Sequence, residues 1–261
     1  MNQNKIEDMD GDGDEFHYRR SLQRNTYVIN RGVIHIIQKN FKTYLNTFLA
    51  YIRSQRPILP DYFKSVTFGR FFKKLFMLIT LVIDPIDLDK SFEQLNKIND
   101  ITLCNSMLYE QCRQFFGLSS ILEPLTLEPS DWSLDEWGKN YWNFLHSLSI
   151  LVQYEYQQDQ NHSAMDYFAL VMVNFHIILP CSMCSHHYKQ KNPLLNIALP
   201  ILYGKDAISV VYDLHNDVRI QNGSIIYPFE NFLEHWGIGV SNSEIIEIDV
   251  TEPLNLLSTE H

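Results

Sequence analysis

The chain has 261 residues, of which 45% are hydrophobic and 13% aromatic, a composition that can build one or two globular cores. Four cysteines are too few for a disulfide-built scaffold. The longest mostly apolar run, residues 75–83, is far shorter than the roughly 20 residues that span a bilayer. The first residues are acidic and lack the basic-then-apolar pattern of a secretory signal. We therefore expect a soluble protein with no signal peptide and no membrane partner.

The net charge of −10 is unevenly distributed along the chain. Residues 1–15 and residues 241–261 each carry −5, and we expect both to be acidic tails, with disorder over residues 1–20. Residues 16–75 carry +11, whereas residues 76–240 carry −11. This split favours docking of the two parts on each other, within one chain or across a homodimer, which is the oligomer that we expect. A solvated helix face and nucleic-acid binding are the alternatives; the basic residues form no dense cluster, so we expect no nucleic-acid partner.

Helical periodicity dominates the N-terminal part, which we assign to a helical domain over residues 21–125. Its first apolar stripe has helical spacing and ends before Pro57 and Pro60. The members of this stripe are Tyr27, Ile34, Ile37, Phe41, Tyr44, Phe48 and Ile52. Residues 61–83 predict a second helix, residues 88–116 predict one or two more, and Gly117, Pro124 and Pro129 mark a linker. Cys104 and Cys112 fall on one predicted helix stripe, about 12 Å apart, so we expect packed thiols there and no disulfide.

A second domain is predicted over residues 126–240. Ser133 and Glu136 have the spacing of a capping box, which predicts a helix from there to about residue 157. Further helices are predicted over residues 162–178 and at about 183–191, 206–221 and 228–236. Alternation of Ile246, Ile248 and Val250 with acidic residues predicts one edge strand in the C-terminal tail. The fold class expected from these elements is all-α.

The segment Pro180-Cys181-Ser182-Met183-Cys184 carries the clearest chemical signal. Two cysteines three positions apart at a helix start can close a small disulfide, and the helix N-terminus lowers the pKa of a thiol placed there. A zinc site would need two more ligands, which nearby histidines could supply. The candidates for those ligands are His162, His176, His186 and His187. A thioredoxin-like site would need a βαβ context, which a helical chain does not provide.

Two further pairs of residues accompany the cysteines. Trp142 and His146 are four positions apart and share one helix face, where they would form a flat, partly polar wall suited to a flavin or adenine ring. His215 lies on an apolar stripe of a predicted short helix, and the adjacent Asn216 could reach a ligand edge. Taken singly, Trp142 and His215 are better explained by core packing, whereas a buried His146 would need hydrogen-bond partners.

Together these residues resemble the FAD-linked sulfhydryl oxidases of the Erv/ALR type, and most closely their baculovirus-like viral branch. Trp137-Gly138, Trp142 and Leu145-His146 match the Trp-Gly-x-x-x-Trp-x-x-Leu-His helix of that family. Cys181 and Cys184 match its redox pair, Tyr188 its aromatic residue after the second cysteine, and His215-Asn216-x-Val218 the start of its His-Asn-x-Val-Asn motif. The resemblance covers roughly residues 134–237.

The resemblance implies a helical bundle that holds FAD, with an additional N-terminal helical domain as in viral members. It implies an FAD-dependent thiol oxidase that forms disulfides in client proteins and reduces molecular oxygen to hydrogen peroxide. Cys181 would react with client thiols, and Cys184 would face the flavin. The cofactor-binding residues so implied are Trp137, Trp142, His146, Tyr188, His215, Asn216, Val218 and Arg219. The site of action would be the cytoplasm or nucleus of an infected cell, or the virion.

Arg219 departs from this pattern, because it replaces the last Asn of the motif. A lysine that the family places after the motif is also missing, so Arg219 or the basic residues 16–75 are our candidates to pair with the FAD pyrophosphate. The chief alternative function is a zinc-binding helical interaction module built on Cys181, Cys184 and nearby histidines. A basic structural protein that binds nucleic acid is a second alternative.

Overall fold

The computed structural model describes residues 18–54, 66–83, 134–159 and 162–250. Strand β1 is Tyr18–Ile29, followed by helices α1 (Arg31–Ser54) and α2 (Val66–Ile83). Helices α3 (Leu134–Asp159) and α4 (His162–Val173) lead to a 3-10 turn, Phe175–Ile178, and to α5 (Ser182–Gln190). A π-helical turn (Leu194–Ala198) continues into α6 (Leu199–Leu202), and α7 (Ala207–Gln221), α8 (Phe229–Trp236) and strand β2 (Ile238–Val250) complete the order. The predicted helical class is confirmed.

Aromatic packing joins the N-terminal helices to the helix that carries Trp142 and His146. Helix α1 packs on α3, and α2 packs on α4 and α3. The Phe48 ring stacks on Phe144 with centroids 4.1 Å apart, and Phe41 stacks on the same ring at 5.4 Å. All three phenylalanines are completely buried. The basic part of the chain therefore does contact the acidic part, as the charge split predicts, but the centre of this contact is apolar.

The sheet is larger than the sequence pattern predicts. Strands β1 and β2 pair antiparallel from Tyr18↔Val250 to Ile29↔Ile238, with a bulge beside Tyr27. The assignment of Tyr27 to the first helical stripe is therefore wrong. The predicted strand around Ile246 is confirmed, but it is longer than expected and starts directly after α8, where Gly237 adopts a left-handed conformation with φ of 65°. We call this pair of strands the ribbon.

Opposite charges face each other in the ribbon. Arg24 lies directly opposite Glu244, and its guanidinium donates from Nε at 2.7 Å. The Ser21 hydroxyl donates to Glu247 at 2.7 Å. Part of the basic N-terminal charge and part of the acidic C-terminal charge are thus brought together on paired strands, where opposite charges across a ladder stabilise the register.

A buried polar cluster, which we call the ribbon anchor, fixes β1 to α3 and α7. Asp206 is the N-cap of α7, and its carboxylate accepts hydrogen bonds from Ser209 N (2.7 Å), Tyr27 Oη (2.7 Å) and Asn25 N (2.9 Å). From α3, the Gln157 side chain donates to Tyr27 O at 2.7 Å and accepts from Tyr27 N at 3.1 Å. These bonds cover the edge of β1 that faces away from β2.

Several predictions concern residues outside the described ranges: the acidic tail up to residue 17, the helices and linker of residues 88–129, and the helix stripe with Cys104 and Cys112. The predicted tails were too long, because residues 18–20 and residues 241–250 belong to the ribbon. Among the residues that the structure describes, none of the helices has the length and apolar content needed to cross a membrane.

Candidate functional site

The two cysteines lie at the start of α5 and are joined by a disulfide. Cys181 is the helix N-cap with extended backbone angles, and its sulfur accepts a hydrogen bond from Cys184 N at 3.2 Å. The Cα atoms of the two cysteines are 5.1 Å apart, and both residues are partly exposed. A sulfur that caps a helix N-terminus is stabilised as a thiolate by the helix dipole and the free N–H groups. Reduction of this disulfide therefore favours a thiolate at Cys181.

The turn before the cysteines is held from both sides. The Tyr141 hydroxyl of α3 donates to Ile178 O at 2.8 Å, and the Ser185 hydroxyl of α5 donates to His176 O at 3.1 Å. Tyr188, four positions after Cys184, is buried, and its hydroxyl donates to Met172 O. Burial raises the pKa of Tyr188 above its ordinary value, so this ring is a neutral, fixed support under the second cysteine.

Aromatic side chains on a second face of α3 meet α7 in a group that we call the ring cluster: Trp142, His146, His215, Phe232 and Trp236. The Trp142 and His215 rings stack with centroids 4.0 Å apart and planes 8° from parallel. His146 Nε2 lies 2.9 Å from His215 Nδ1, within hydrogen-bonding distance. Helix α8 closes the cluster with Phe232 and Trp236, whose ring centroids are 5.1 and 6.2 Å from that of His146.

Both imidazoles of the ring cluster are neutral at pH 7. Burial, with the positive charges that His215 and His235 could carry, lowers the pKa of His146 to about 3. Burial, with the Arg219 guanidinium, lowers the pKa of His215 to about 4. Each neutral ring has one N–H and one bare nitrogen, so one of the two must donate across the 2.9 Å contact.

One nitrogen of the ring cluster has no hydrogen-bond partner among the residues that the structure describes. His146 Nδ1 is buried and makes no hydrogen bond. A buried N–H without an acceptor is rarer than an unfilled acceptor, so we assign the proton of His146 to Nε2, which donates to His215. Nδ1 is then a bare acceptor, and the other nitrogen of His215, Nε2, carries an N–H. His215 is only partly buried, so this N–H can be offered to a ligand.

Trp137 lies on a different face of α3 from the ring cluster. Its indole packs edge-on against Tyr141 with centroids 5.3 Å apart and is 8% exposed. Tyr141 in turn holds the turn that precedes the cysteines. Trp137 and Tyr188 therefore support the disulfide segment, whereas Trp142, His146 and His215 form a wall of their own.

Asn216 and Arg219 hold the loop that follows α7. The Asn216 amide donates to Tyr227 O at 3.2 Å and accepts from Tyr227 N at 2.9 Å. Arg219 Nε donates to Ile225 O at 3.1 Å, and its guanidinium lies 6.0 Å from the centre of the Tyr227 ring. Both side chains thus fix the loop that connects α7, which carries His215, to α8, which carries Phe232 and Trp236. Val218, which lies between Asn216 and Arg219 in the sequence, is partly buried.

The disulfide segment and the ring cluster share supporting helices. Helix α3 contributes Tyr141 to the disulfide side and Trp142 to the ring cluster. At the far end of α5, the Lys191 ammonium bonds to Asp217 of α7 at 3.2 Å, two positions after His215. The three sequence motifs are therefore assembled on three connected helices.

Comparison of the chain with protein-family models, curated proteins and solved structures finds no match. The zinc alternative can be examined on geometry. Because Cys181 and Cys184 are joined to each other, neither sulfur is a free thiolate ligand in this structure. Within the described ranges, no three His, Cys, Asp or Glu side chains come together as a metal site.

Sequence patterns missed the contribution of α8 to the site. Phe232 and Trp236 are four positions apart in a helix whose existence was predicted, and this spacing places both rings on one face. Their contact with His146 depends on how α8 returns across α3, which no local pattern reveals.

Proposed function

We propose that this protein is an FAD-dependent thiol oxidase that forms disulfides in client proteins. The observation that carries the proposal is the partly exposed Cys181–Cys184 disulfide at the N-terminus of α5, whose preceding turn is held by Tyr141 of α3, the helix that also carries Trp142 and His146 of the aromatic wall. A disulfide serves as an oxidant when a thiolate can reach it, and its reactivity rises when the leaving sulfur has a low pKa. The partly exposed Cys181 meets the first condition, and as the helix cap it meets the second when it is expelled from the mixed disulfide with the client.

The side chains of the ring cluster fit a flavin ring system. Trp142 and His215 supply partly exposed aromatic surface, and the N–H of His215 can donate a hydrogen bond to the ring system, whereas His146 fixes the tautomer of His215 from below. Neutral imidazoles avoid placing positive charge against an apolar ring. Trp142 and His215 are in direct stacking contact at 4.0 Å, so a ligand would lie against this pair and not between its rings.

The cysteines can carry out thiol–disulfide exchange without help from another group. A client thiolate attacks the Cys181 sulfur, a client–Cys181 bond forms, and the Cys181–Cys184 bond breaks to release Cys184 as a thiolate. The second client thiolate then attacks the client sulfur of this mixed disulfide and expels Cys181. The Cys184 N–H at 3.2 Å stabilises the expelled thiolate. The client has lost two electrons and two protons, and the protein holds two thiols.

Repeated turnover requires removal of this electron pair from the cysteines. When bound, FAD would supply that chemistry by transferring the pair to molecular oxygen, with hydrogen peroxide as the product. Trp142, His146 and His215 would hold the flavin, and Arg219 is the cation nearest the loop at the border of the cluster. Tyr188 and Tyr141 keep the cysteine segment in a fixed position while it reacts.

The decisive experiment is an absorbance spectrum of the purified full chain, followed by oxygen consumption with dithiothreitol. A flavin spectrum and steady consumption that ends on substitution of Cys181→Ser or Cys184→Ser are expected. The double substitution Cys104→Ala/Cys112→Ala is the control for loss of thiols as such, and near-normal turnover is expected from it. A colourless protein that contains one equivalent of zinc would support the zinc module instead.

The role of the ring cluster is tested by His146→Leu. Leucine fills a similar apolar volume but removes the donor to His215 Nδ1, so the flavin-free protein should lose only about 1 kcal/mol of unfolding free energy. FAD affinity should fall at least about tenfold, or ~1.4 kcal/mol, because the tautomer of His215 is no longer fixed. Titration of the flavin-free protein with FAD measures the affinity. Loss of stability without any loss of FAD affinity would assign His146 to core packing alone.

A further inference from the structure

The disulfide lies in a segment that has no carboxylate, although the chain as a whole is acidic. Residues 167–205 contain no Asp or Glu, whereas the complete chain has 31 of them. The same stretch contains the lysines Lys189, Lys191 and Lys205, and the histidines His176, His186 and His187. In a chain of net charge −10, such a stretch is a local departure from the prevailing charge, and it includes all of α5.

The three lysines of this stretch differ in their partners. Lys191 bonds to Asp217 at 3.2 Å, and Lys205 bonds to Asp213 at 2.6 Å. Each of these two carries a carboxylate of α7 against it, so its charge is offset. Burial lowers the pKa of His176, and the positive charge of Lys189 lowers it further. Lys189 itself is exposed on α5.

The outward face of α5 also has an exposed apolar side chain next to the sulfur atoms. Met183 lies between the two cysteines and is 65% exposed. His187 is four positions after Met183 and His186 is three positions after it, so both histidines are neighbours of Met183 on the helix surface. Both histidines are exposed, and their ring centroids are 6.3 Å apart. We call Met183, His186, His187 and Lys189 the α5 face.

This combination points to a kind of partner. We propose that the α5 face docks acidic polypeptide segments, so that client dithiols flanked by Asp or Glu are the preferred substrates. The inference rests on the proposed thiol oxidase function and specifies its substrate class. Carboxylates of the client would lie against Lys189 and the α5 histidines, and an apolar client residue would contact Met183. In protein interfaces, complementary charge speeds association, and a methionine can adapt its contacts to different partners.

The α5 face suits a polypeptide better than a nucleic acid. Nucleic-acid binding draws its affinity from the neutralisation of many phosphates by lysine and arginine. Helix α5 contains one lysine, Lys189, and no arginine. Among the described residues, Lys191 just after the helix forms a salt bridge with Asp217, whereas no salt bridge is seen for Lys189. One lysine charge and the N–H groups of two exposed histidines can bind a few carboxylates, but they cannot follow a phosphate backbone.

Docking adds no new chemistry to the exchange at the disulfide. Two client thiols give up two electrons and two protons, a client disulfide forms, and the Cys181–Cys184 bond is replaced by two thiols. The α5 face affects the rate at which a client reaches this bond. Steering by charge raises association rates by about tenfold or more at low ionic strength, and the effect is lost when salt shortens the Debye length to about 3 Å near 1 M.

The test uses the full chain and two synthetic peptides that share one Cys-Gly-Gly-Cys dithiol, flanked by glutamates in one and by lysines in the other. The ratio of kcat/KM for the acidic peptide to that for the basic peptide should be about ten at low salt and should approach one near 1 M salt. Substitution Lys189→Glu should bring the low-salt ratio to one or below. Lys42→Glu makes the same charge change at an exposed lysine of α1 and should leave the ratio near ten.

Each other outcome has a definite meaning. A chain that does not oxidise dithiothreitol contradicts the proposed function itself, whereas oxidation of dithiothreitol with a peptide ratio of one contradicts only this inference. Lys189→Glu that speeds both peptides alike would show that the face is covered by an acidic segment of the chain itself. Stronger inhibition by a single-stranded oligonucleotide than by a thiol-free acidic peptide would identify the face as a nucleic-acid site.

Discussion

Two buried polar clusters join α3 to α7, and they differ in how completely their polar groups are paired. In the ribbon anchor, the Asp206 carboxylate accepts three hydrogen bonds, and the Gln157 amide is bonded at both ends to Tyr27. In the ring cluster, His146 has one paired nitrogen and one buried nitrogen without a partner. Buried polar groups are nearly always paired, so an exception calls for a specific explanation, such as a ligand.

The comparison distinguishes a buried polar cluster that holds the fold together from one that has capacity left for a ligand. Both clusters contain titratable side chains whose pKa values are shifted by burial. A pKa shift alone would therefore nominate both as sites. The degree of pairing distinguishes them: the ribbon anchor satisfies its own groups and holds a strand, whereas the ring cluster leaves a buried imidazole nitrogen without a partner among the described residues.

The largest effect on stability is expected at the ribbon anchor. Asp206→Ala removes the helix cap and leaves Tyr27 Oη, Asn25 N and Ser209 N without their acceptor, which should cost about 3 kcal/mol or more of unfolding free energy. Asp206→Asn, which keeps an acceptor oxygen, should lose less. Denaturant unfolding of the flavin-free proteins measures both. FAD bound per folded molecule should not change, and a selective loss of FAD would remove the distinction between the clusters.

An intermediate effect is expected in the dependence of stability on pH. The folded pKa values of His146 and His215, about 3 and about 4, are below the ordinary value of 6.5. Between these values the unfolded chain binds protons that the folded chain does not, so stability falls as pH is lowered from about 6.5 towards 4. Removal of the imidazole in His146→Leu should reduce the loss between pH 7 and pH 5 by about 2 kcal/mol.

Asp206 acts in the opposite direction and can be separated by mutation. Burial raises the pKa of Asp206, so its contribution is present at low pH and is lost as pH rises through its folded pKa. The pH series is therefore best measured in an Asp206→Asn background, with His35→Gln as the control for removal of an exposed imidazole. An unchanged profile in His146→Leu would show that His146 is not held neutral by the fold.

The smallest effect is expected on the surface of the ribbon. The Arg24–Glu244 pair has side chains that are 35% and 44% exposed, and exposed ion pairs contribute about 0.2–1 kcal/mol. A double-mutant cycle of Arg24→Ala and Glu244→Ala should give a coupling in that range that decreases with salt. A coupling as large as the effect of Asp206→Ala would mean that the ribbon is held by its charges and not by its anchor.

Sequence patterns predicted the helices well because helix formation depends on neighbours three and four positions apart. The apolar stripe of α1, the capping box before α3 and the helix that begins after Asp206 were all visible in this way. Strand β1 was not predicted, because Tyr27 also fits the stripe of α1 and its real partners, Asp206 and Gln157, are distant in sequence. The run Thr26-Tyr27-Val28-Ile29, rich in β-branched residues, was the local signal for a strand.

The residues of the candidate site were identified by motif, but their grouping was not. The sequence placed Trp142 and His146 on one helix face, and the structure agrees, with ring centroids 5.9 Å apart. Sequence reasoning could not show that His215 stacks on Trp142 or that Trp137 faces elsewhere. Sequence reasoning also did not reveal the hydrogen bonds between Asn216 and the Tyr227 backbone, because they depend on how the loop after α7 returns.

The ribbon also sets an order for assembly. Ser21 and Glu247, which bond across it, are 226 positions apart, so their pairing must follow closure of a very long loop. Helix pairs such as α3 and α4 involve near neighbours and can form earlier. During synthesis, β1 leaves the ribosome long before β2 exists and remains an unpaired strand edge until the rest of the helical core is complete. We therefore expect the ribbon to close last, with exposure of that edge prolonged by any delay in translation after α8.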